Sequence, residues 1–113
     1  MILGTTLYAV SKSSFIVTVV FLDENGLAVI PLSATWSLTD GEGLVINSRT
    51  AVVITPLASS VAIVLSGNDL KYSDGNQRVL TVTATYNSIY GVLPLIDSLR
   101  FDIADTESGK IGV

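Results

Sequence analysis

The sequence predicts an all-β domain of the sandwich class. Three observations predict it. Apolar and polar residues alternate at period two in several stretches, those stretches are rich in Val, Ile and Thr, and clusters of Gly, Asp, Asn or Pro separate them at short intervals. Apolar residues at helical spacing are not found. A chain of 113 residues has room for one hydrophobic core and not for two.

Each element has its own justification. Residues 1–13 begin with an apolar, β-prone stretch and read as an N-terminal arm or a first edge strand. Ser14 to Leu22 is well patterned: Phe15, Val17, Val19 and Phe21 share one face, and Ile16, Thr18 and Val20 share the other. Asp23-Glu24-Asn25-Gly26 reverses the chain, with Asn-Gly supplying the positive φ of a tight turn. Leu27 to Ile30 resumes briefly before Pro31, whose missing N–H suits an edge. In Ala34 to Thr39, the residues Ala34, Trp36 and Leu38 point inward, which makes Trp36 a core residue. Asp40-Gly41-Glu42-Gly43 turns into Leu44 to Asn47, and Thr50 to Thr55 forms a further strand stopped by Pro56. Val61 to Leu65 precedes a polar loop over residues 66–77. Arg78 to Tyr86 is the clearest strand, with Leu80, Val82, Ala84 and Tyr86 inward and Val79, Thr81, Thr83 and Thr85 half-exposed. Gly91 to Ile96 is broken by Pro94, and Leu99 to Ile103 completes a sandwich spanning residues 14–103, with 104–113 as a tail without pattern. Seven to nine short strands at this spacing favour a Greek-key sandwich over a barrel.

Composition bounds the partners. Hydrophobic residues make up 49% of the chain and charged residues 14%, well under the usual quarter. That apolar content offsets the entropy of ordering the chain. So few charges leave two ways to cover the outside: a Ser/Thr-rich surface, or contact with copies of the chain or a larger assembly. The net charge is −4, and the six basic residues (Lys12, Arg49, Lys71, Arg78, Arg100 and Lys110) are scattered singly. No basic stripe neutralises phosphates, so nucleic acid is not expected as a partner. The longest apolar run, Phe15 to Leu22, falls far short of the roughly 20 residues that span a bilayer, so no membrane is expected either. The N-terminus lacks the pattern of a signal peptide, and the product is expected in the cytoplasm when made.

Two stretches carry a family resemblance. One runs Ala34-Thr35-Trp36-Ser37-Leu38-Thr39-Asp40-Gly41-Glu42-Gly43-Leu44-Val45-Ile46-Asn47. The other joins Val64-Leu65-Ser66-Gly67-Asn68-Asp69-Leu70 to Arg78-Val79-Leu80-Thr81-Val82-Thr83-Ala84-Thr85-Tyr86-Asn87-Ser88. Together they resemble small immunoglobulin-like proteins encoded among the structural genes of tailed bacteriophages, over residues 14–103. The resemblance implies an immunoglobulin-like Greek-key sandwich and a virion component that decorates or cements the head or belongs to the neck or tail. Its expected partners are copies of itself and other virion proteins, its location is the virion, and no catalytic residue is implied. A host-surface or glycan-binding module is the alternative.

Little chemistry is available. The chain has no His and no Cys, which removes the commonest general base, the commonest metal ligands and the Ser-His-Asp and Cys-His arrangements. Ser11-Lys12-Ser13-Ser14 is a formal Ser-Lys pairing that reads as a strand entry. Asp40, Glu42, Asp69 and Asp74 are the candidate metal ligands. An immunoglobulin-like topology brings the loop after the Trp36 strand and the loop before the Tyr86 strand to one end, where four carboxylates would suit an oxygen-liganded cation such as calcium. The same residues equally fit ordinary turns, which favour Asp, Asn and Gly. No cofactor is required. Tyr8, Tyr72 and Tyr90 are the candidate exposed contact residues.

Overall fold

The alternation becomes two-faced strands in a computed structural model, which describes residues 2–5, 9–10 and 13–104. These residues form an all-β structure of two sheets. The first contains β1 (Ile2–Thr5), β3 (Ser14–Val20) and β6 (Ser60–Ser66), in the order β1-β3-β6. The second contains β2 (Ala9–Val10), β4 (Ser33–Thr39), β5 (Val52–Val53), β7 (Gln77–Ser88) and β8 (Gly91–Ala104), in the order β2-β8-β7-β4-β5. All pairings are antiparallel except the short β2–β8 pair. The chain crosses between sheets on going from β3 to β4 and from β6 to β7, so each central strand pairs with a partner distant in sequence.

The inward residues meet between the sheets. Phe15, Val17, Val19, Ile63 and Leu65 come from the first sheet, and Ala34, Trp36, Leu38, Leu80, Val82 and Ala84 from the second; all are buried. The rings of Phe15 and Phe101 meet at 4.4 Å between centroids. Each fully buried Leu or Val contributes about 1.5–3 kcal/mol by leaving water, so this layer is the main source of stability. Trp36 and Tyr86 are core residues, and the Tyr86 hydroxyl escapes isolation by donating to Glu24 Oε2 at 2.7 Å.

One element takes one of the two forms expected of it, and the others differ from the sequence reading. Residues 2–5 form an edge strand on β3 of the same chain, in the register Ile2↔Val20 to Thr5↔Val17. The expected strands at Leu44–Asn47 and Thr50–Thr55 shrink to a single Thr39↔Val45 bridge and to β5. The cause is local: Asn47, Ser48 and Ala51 have φ of 53°, 57° and 47°, a left-handed path that no strand follows. Finally, β8 runs unbroken through Pro94, which sits opposite Thr85. The Thr85 carbonyl faces the other way and accepts from the Leu32 N–H at 2.7 Å. Thr85 and Pro94 are therefore a pair not joined by hydrogen bonds, and the missing N–H of Pro94 is turned to the outer edge, where it costs nothing.

The polar loop before β7 contains two single-turn 3-10 helices, Gly67–Leu70 and Tyr72–Asp74, so most of its carbonyls lie outside any sheet ladder. Arg78 supplies donors for them. It occupies an inward position of β7 and is fully buried. Its Nε donates to the Asp69 carbonyl at 3.0 Å, Nη2 to Lys71 at 2.8 Å, and Nη1 to Gly75 and Gln77, each at 2.9 Å. Replacing it with Met (Arg78→Met) keeps most of the volume but orphans these acceptors. The expected cost is about 3 kcal/mol or more in denaturant unfolding, with loss of amide-exchange protection concentrated in residues 67–77.

Candidate functional site

The two ends of the sandwich differ in their most prominent groups, with exposed Leu44 and Val45 also at the first and Asp23 and Glu24 also at the second. At one end, the turn after β4 and the loop before β7 enclose a recess of about 300 Å³ lined by Asp40, Gly41, Glu42, Asp74, Gly75, Asn76 and Gln77. Asp40 is fixed by its own turn: its Oδ1 accepts the N–H of Glu42 at 2.8 Å and of Leu44 at 3.0 Å. The backbone N–H of Leu44, then that of Glu42, holds its carboxyl below the usual carboxylate range. Gly41 lies against Gln77 so closely that a Cβ there would overlap the Gln77 side chain, which closes one wall of the recess.

Three of the four expected metal ligands, Asp40, Glu42 and Asp74, therefore share this recess. Asp69 does not join them. It is fully buried behind the loop and committed to other groups. Its Oδ1 accepts from Asn47 Nδ2 and Arg49 Nε, both at 2.8 Å, and its Oδ2 from the Ser66 N–H at 3.1 Å and Arg49 Nη2 at 3.4 Å. Among the described residues, no three acidic side chains are grouped as a metal site. The left-handed backbone at Asn47 and Ser48 is what allows both Asn47 and Arg49 to reach Asp69. Arg49 also lies over the Trp36 ring, 5.6 Å from its centroid, and so seals the core at this corner.

At the other end, the β7–β8 hairpin turns through Ile89 and Tyr90, which are 86% and 74% exposed, with Val92 at 59%. The loop from β3 to β4 reaches the same end, held by the Leu32–Thr85 and Tyr86–Glu24 hydrogen bonds. It exposes Leu27, Ile30 and Leu32. The sequence signal for this end was weak, since Leu27 to Ile30 reads as a strand and only Tyr90 stood out beside Gly91. Tyr72 is exposed at the acidic end, so Tyr72 and Tyr90 do not form one aromatic platform; Tyr8, Ser11 and Lys12 lie outside the described residues.

A third surface is the outer face of the five-stranded sheet. Ser33, Thr35, Ser37 and Thr39 of β4 stand directly opposite Thr85, Thr83, Thr81 and Val79 of β7. Ser33 Oγ and Thr85 Oγ1 lie 2.7 Å apart, and Thr81 Oγ1 and Ser98 Oγ 3.2 Å apart. Hydroxyls thus line this face beside the exposed Val53 and Ile96, and large apolar side chains are bare at the hairpin end.

The fold and these surfaces define a two-sheet all-β protein with one acidic and one apolar end. Comparison with family models, with curated proteins and with solved structures finds no match to this chain.

The buried ion pair has a pH signature. Burial alone would raise the pKa of Asp69, but hydrogen bonds from Arg49, Asn47 and the Ser66 N–H, with the Arg49 charge, hold it below the usual carboxylate range. Its contribution to stability is complete above the unfolded pKa and is lost as pH falls through the lowered folded pKa. The melting temperatures of wild type and Asp69→Asn should therefore differ most near neutral pH and converge in acid. Arg49→Met should cost more, about 3 kcal/mol at neutral pH, because it strands a buried carboxylate, whereas Asp69→Asn leaves Arg49 partly solvated.

Proposed function

We propose that this chain is a non-enzymatic structural module of a tailed-phage virion: an immunoglobulin-like sandwich that decorates or cements the head, or forms part of the neck or tail, through self-association and docking. The observation that carries the reading is the apolar end. Leu27, Ile30, Leu32, Ile89, Tyr90 and Val92 expose a set of large apolar side chains that a chain with free access to water gains nothing by displaying together. Aromatic and aliphatic residues on a projecting turn are what a docking contact uses as anchors.

The strand order supports the immunoglobulin-like part of the reading. The pairs β3–β6 and β4–β7 lie in opposite sheets, and the N-terminal strand switches from β3 to a parallel pairing with β8. The charged groups support the non-enzymatic part. Arg78, Asp69 and Arg49 are engaged in holding loops, and Asp40 in holding its own turn. The glycan-binding alternative rests on the exposure of Tyr90, but the distance from Tyr72, at the far end of β7, leaves it a single ring rather than a stacking surface.

The test is incorporation into particles. Phage particles assembled with Ile89→Ser/Tyr90→Ser protein should lack it by mass spectrometry and electron microscopy, while the purified variant melts within a few degrees of wild type. A variant that incorporates at wild-type levels overturns docking through this end. Binding of the isolated wild type to a glycan array, lost in the same variant, would favour the alternative.

A further inference from the structure

We infer that β6 is a self-pairing edge that joins two copies of this chain into a dimer through one continuous sheet. The inference gives a surface to the self-association in the proposed function, and it can fail independently of docking through the hairpin end.

Exposed strand edges invite pairing, and proteins ordinarily blunt them. Two edges here are visibly managed. The outer side of β4 is occupied by β5 and by hydrogen bonds from Leu38 N–H to Arg49, Ile46 N–H to Leu38 and Ile54 N–H to Ala34. The outer side of β8 carries Pro94, which offers no N–H, and the half-buried charge of Asp97. The edge of β6 has neither device. From residue 57 to residue 68 the chain has no charge and no proline, and neither has its neighbour from 14 to 22.

The register shows which groups are free. Gly67 N–H donates to Ser13 and Phe21 N–H to Ser59, so the odd-numbered residues of β6 are the ones bonded to β3. The N–H and C=O of Ser60, Ala62 and Val64 consequently point away from the sheet and have no partner among the described residues. Ser66 points the same way, but its N–H is taken by Asp69.

These three residues match themselves. An antiparallel second copy with its two-fold axis at Ala62 sets Ser60 against Val64, Ala62 against Ala62 and Val64 against Ser60, and every free N–H finds a free C=O. Shifting the axis by one residue sets Ser60 against Ser66, whose N–H is occupied. The side chains agree with the centred register. On the inner face, the half-buried Val61 lies at the open flank of the core, where the second copy places Ile63 beside it. On the outer face, the exposed cross-strand pair Ile16 and Val64 continues into uncharged Ser60 and Val20 of the second copy. A different protein could add a strand to this edge, but only a second copy is guaranteed to bring the same three free pairs in the same spacing.

Light scattering and sedimentation of the purified chain should give twice the 11.9 kDa chain mass. Ala62→Pro removes only an outward-facing N–H, and Ala62→Lys sets like charges against each other; both should halve the mass while leaving the circular dichroism spectrum unchanged. Because the chain has no Cys, Ala62→Cys provides a direct geometric test. Facing Cα atoms in a bonded antiparallel pair lie about 5.5 Å apart, within disulfide range. Ala62→Cys should therefore cross-link under mild oxidation much faster than Thr83→Cys on the opposite sheet. A wild-type monomer at millimolar concentration would overturn the inference. So would a dimer that survives both Ala62→Pro and Ala62→Lys, or equal cross-linking at the two positions; the last two results leave self-association standing on another surface.

Discussion

Asp69 holds the acidic end of this molecule together. Its carboxylate ties the segment at Asn47 and Arg49 to the end of β6, and its carbonyl receives the buried guanidinium of Arg78 from β7. The distant segment at Asn47 and Arg49 is thereby joined at one residue to the end of β6 and the start of β7. Removing a carboxylate from water is costly, and it is tolerated here because Asn47, Arg49 and the Ser66 N–H donate four hydrogen bonds to it. Arg78 is treated the same way: burial pulls its pKa down, and the charges of Asp74, Asp40 and Asp69 pull it back. An arginine remains ionised under that treatment, so its donors stay available to the loop carbonyls.

This arrangement explains what was legible in the sequence. The period-two faces of Ser14–Val20, Ser33–Thr39 and Gln77–Ser88 could be read directly, because burial of one face is a local pattern. The sheet's two-sided character and the core positions of Trp36 and Tyr86 followed from it. The segment between β4 and β6 could not be read in the same way. Its residues have strand-like composition, yet the pull of Asp69 on Asn47 and Arg49 bends them out of the ladder, and that partner lies 20 residues from Arg49. Arg78 is in phase with the inward residues Leu80 to Tyr86, but what makes that position favourable for a charge is the set of loop carbonyls folded over it, which no period reveals. Of the candidate site, the shared end of Asp40, Glu42 and Asp74 was expected only by placing the loop after the Trp36 strand beside the loop before the Tyr86 strand, and the diversion of Asp69 into the interior was not legible. Pro94 was read as a break because sequence alone does not say which side of a strand its nitrogen faces.

The surface divides labour among regions that the composition could only average. Hydroxyls from β4, β7 and β8 line the outer face of the five-stranded sheet beside Val53 and Ile96, a recess of carboxylates marks one end, and the largest set of bare apolar side chains marks the other. A low charge content is sustainable because Thr and Ser of β4, β7 and β8 hydrate without charge and meet across the strands, as Ser33 with Thr85 and Thr81 with Ser98 do. The exposed large apolar residues lie on the turns of both ends, with Leu44 and Val45 at the acidic one, on Ile16 and Val64 of the three-stranded sheet, and on Val53 and Ile96 of the five-stranded sheet.

The β7–β8 hairpin adds a mechanical consequence. The register between β4 and β7 stops at Ser33↔Thr85, whereas β7 and β8 remain paired to Ser88↔Gly91. Past Thr85 the hairpin is therefore a ribbon of two strands, which twists more readily than a supported sheet. Its roots are clamped by the sandwich, whereas its tip is supported only by the pairing of its own two strands. Ile89 and Tyr90 thus stand clear of the sheet, so substitutions there leave the core behind them untouched.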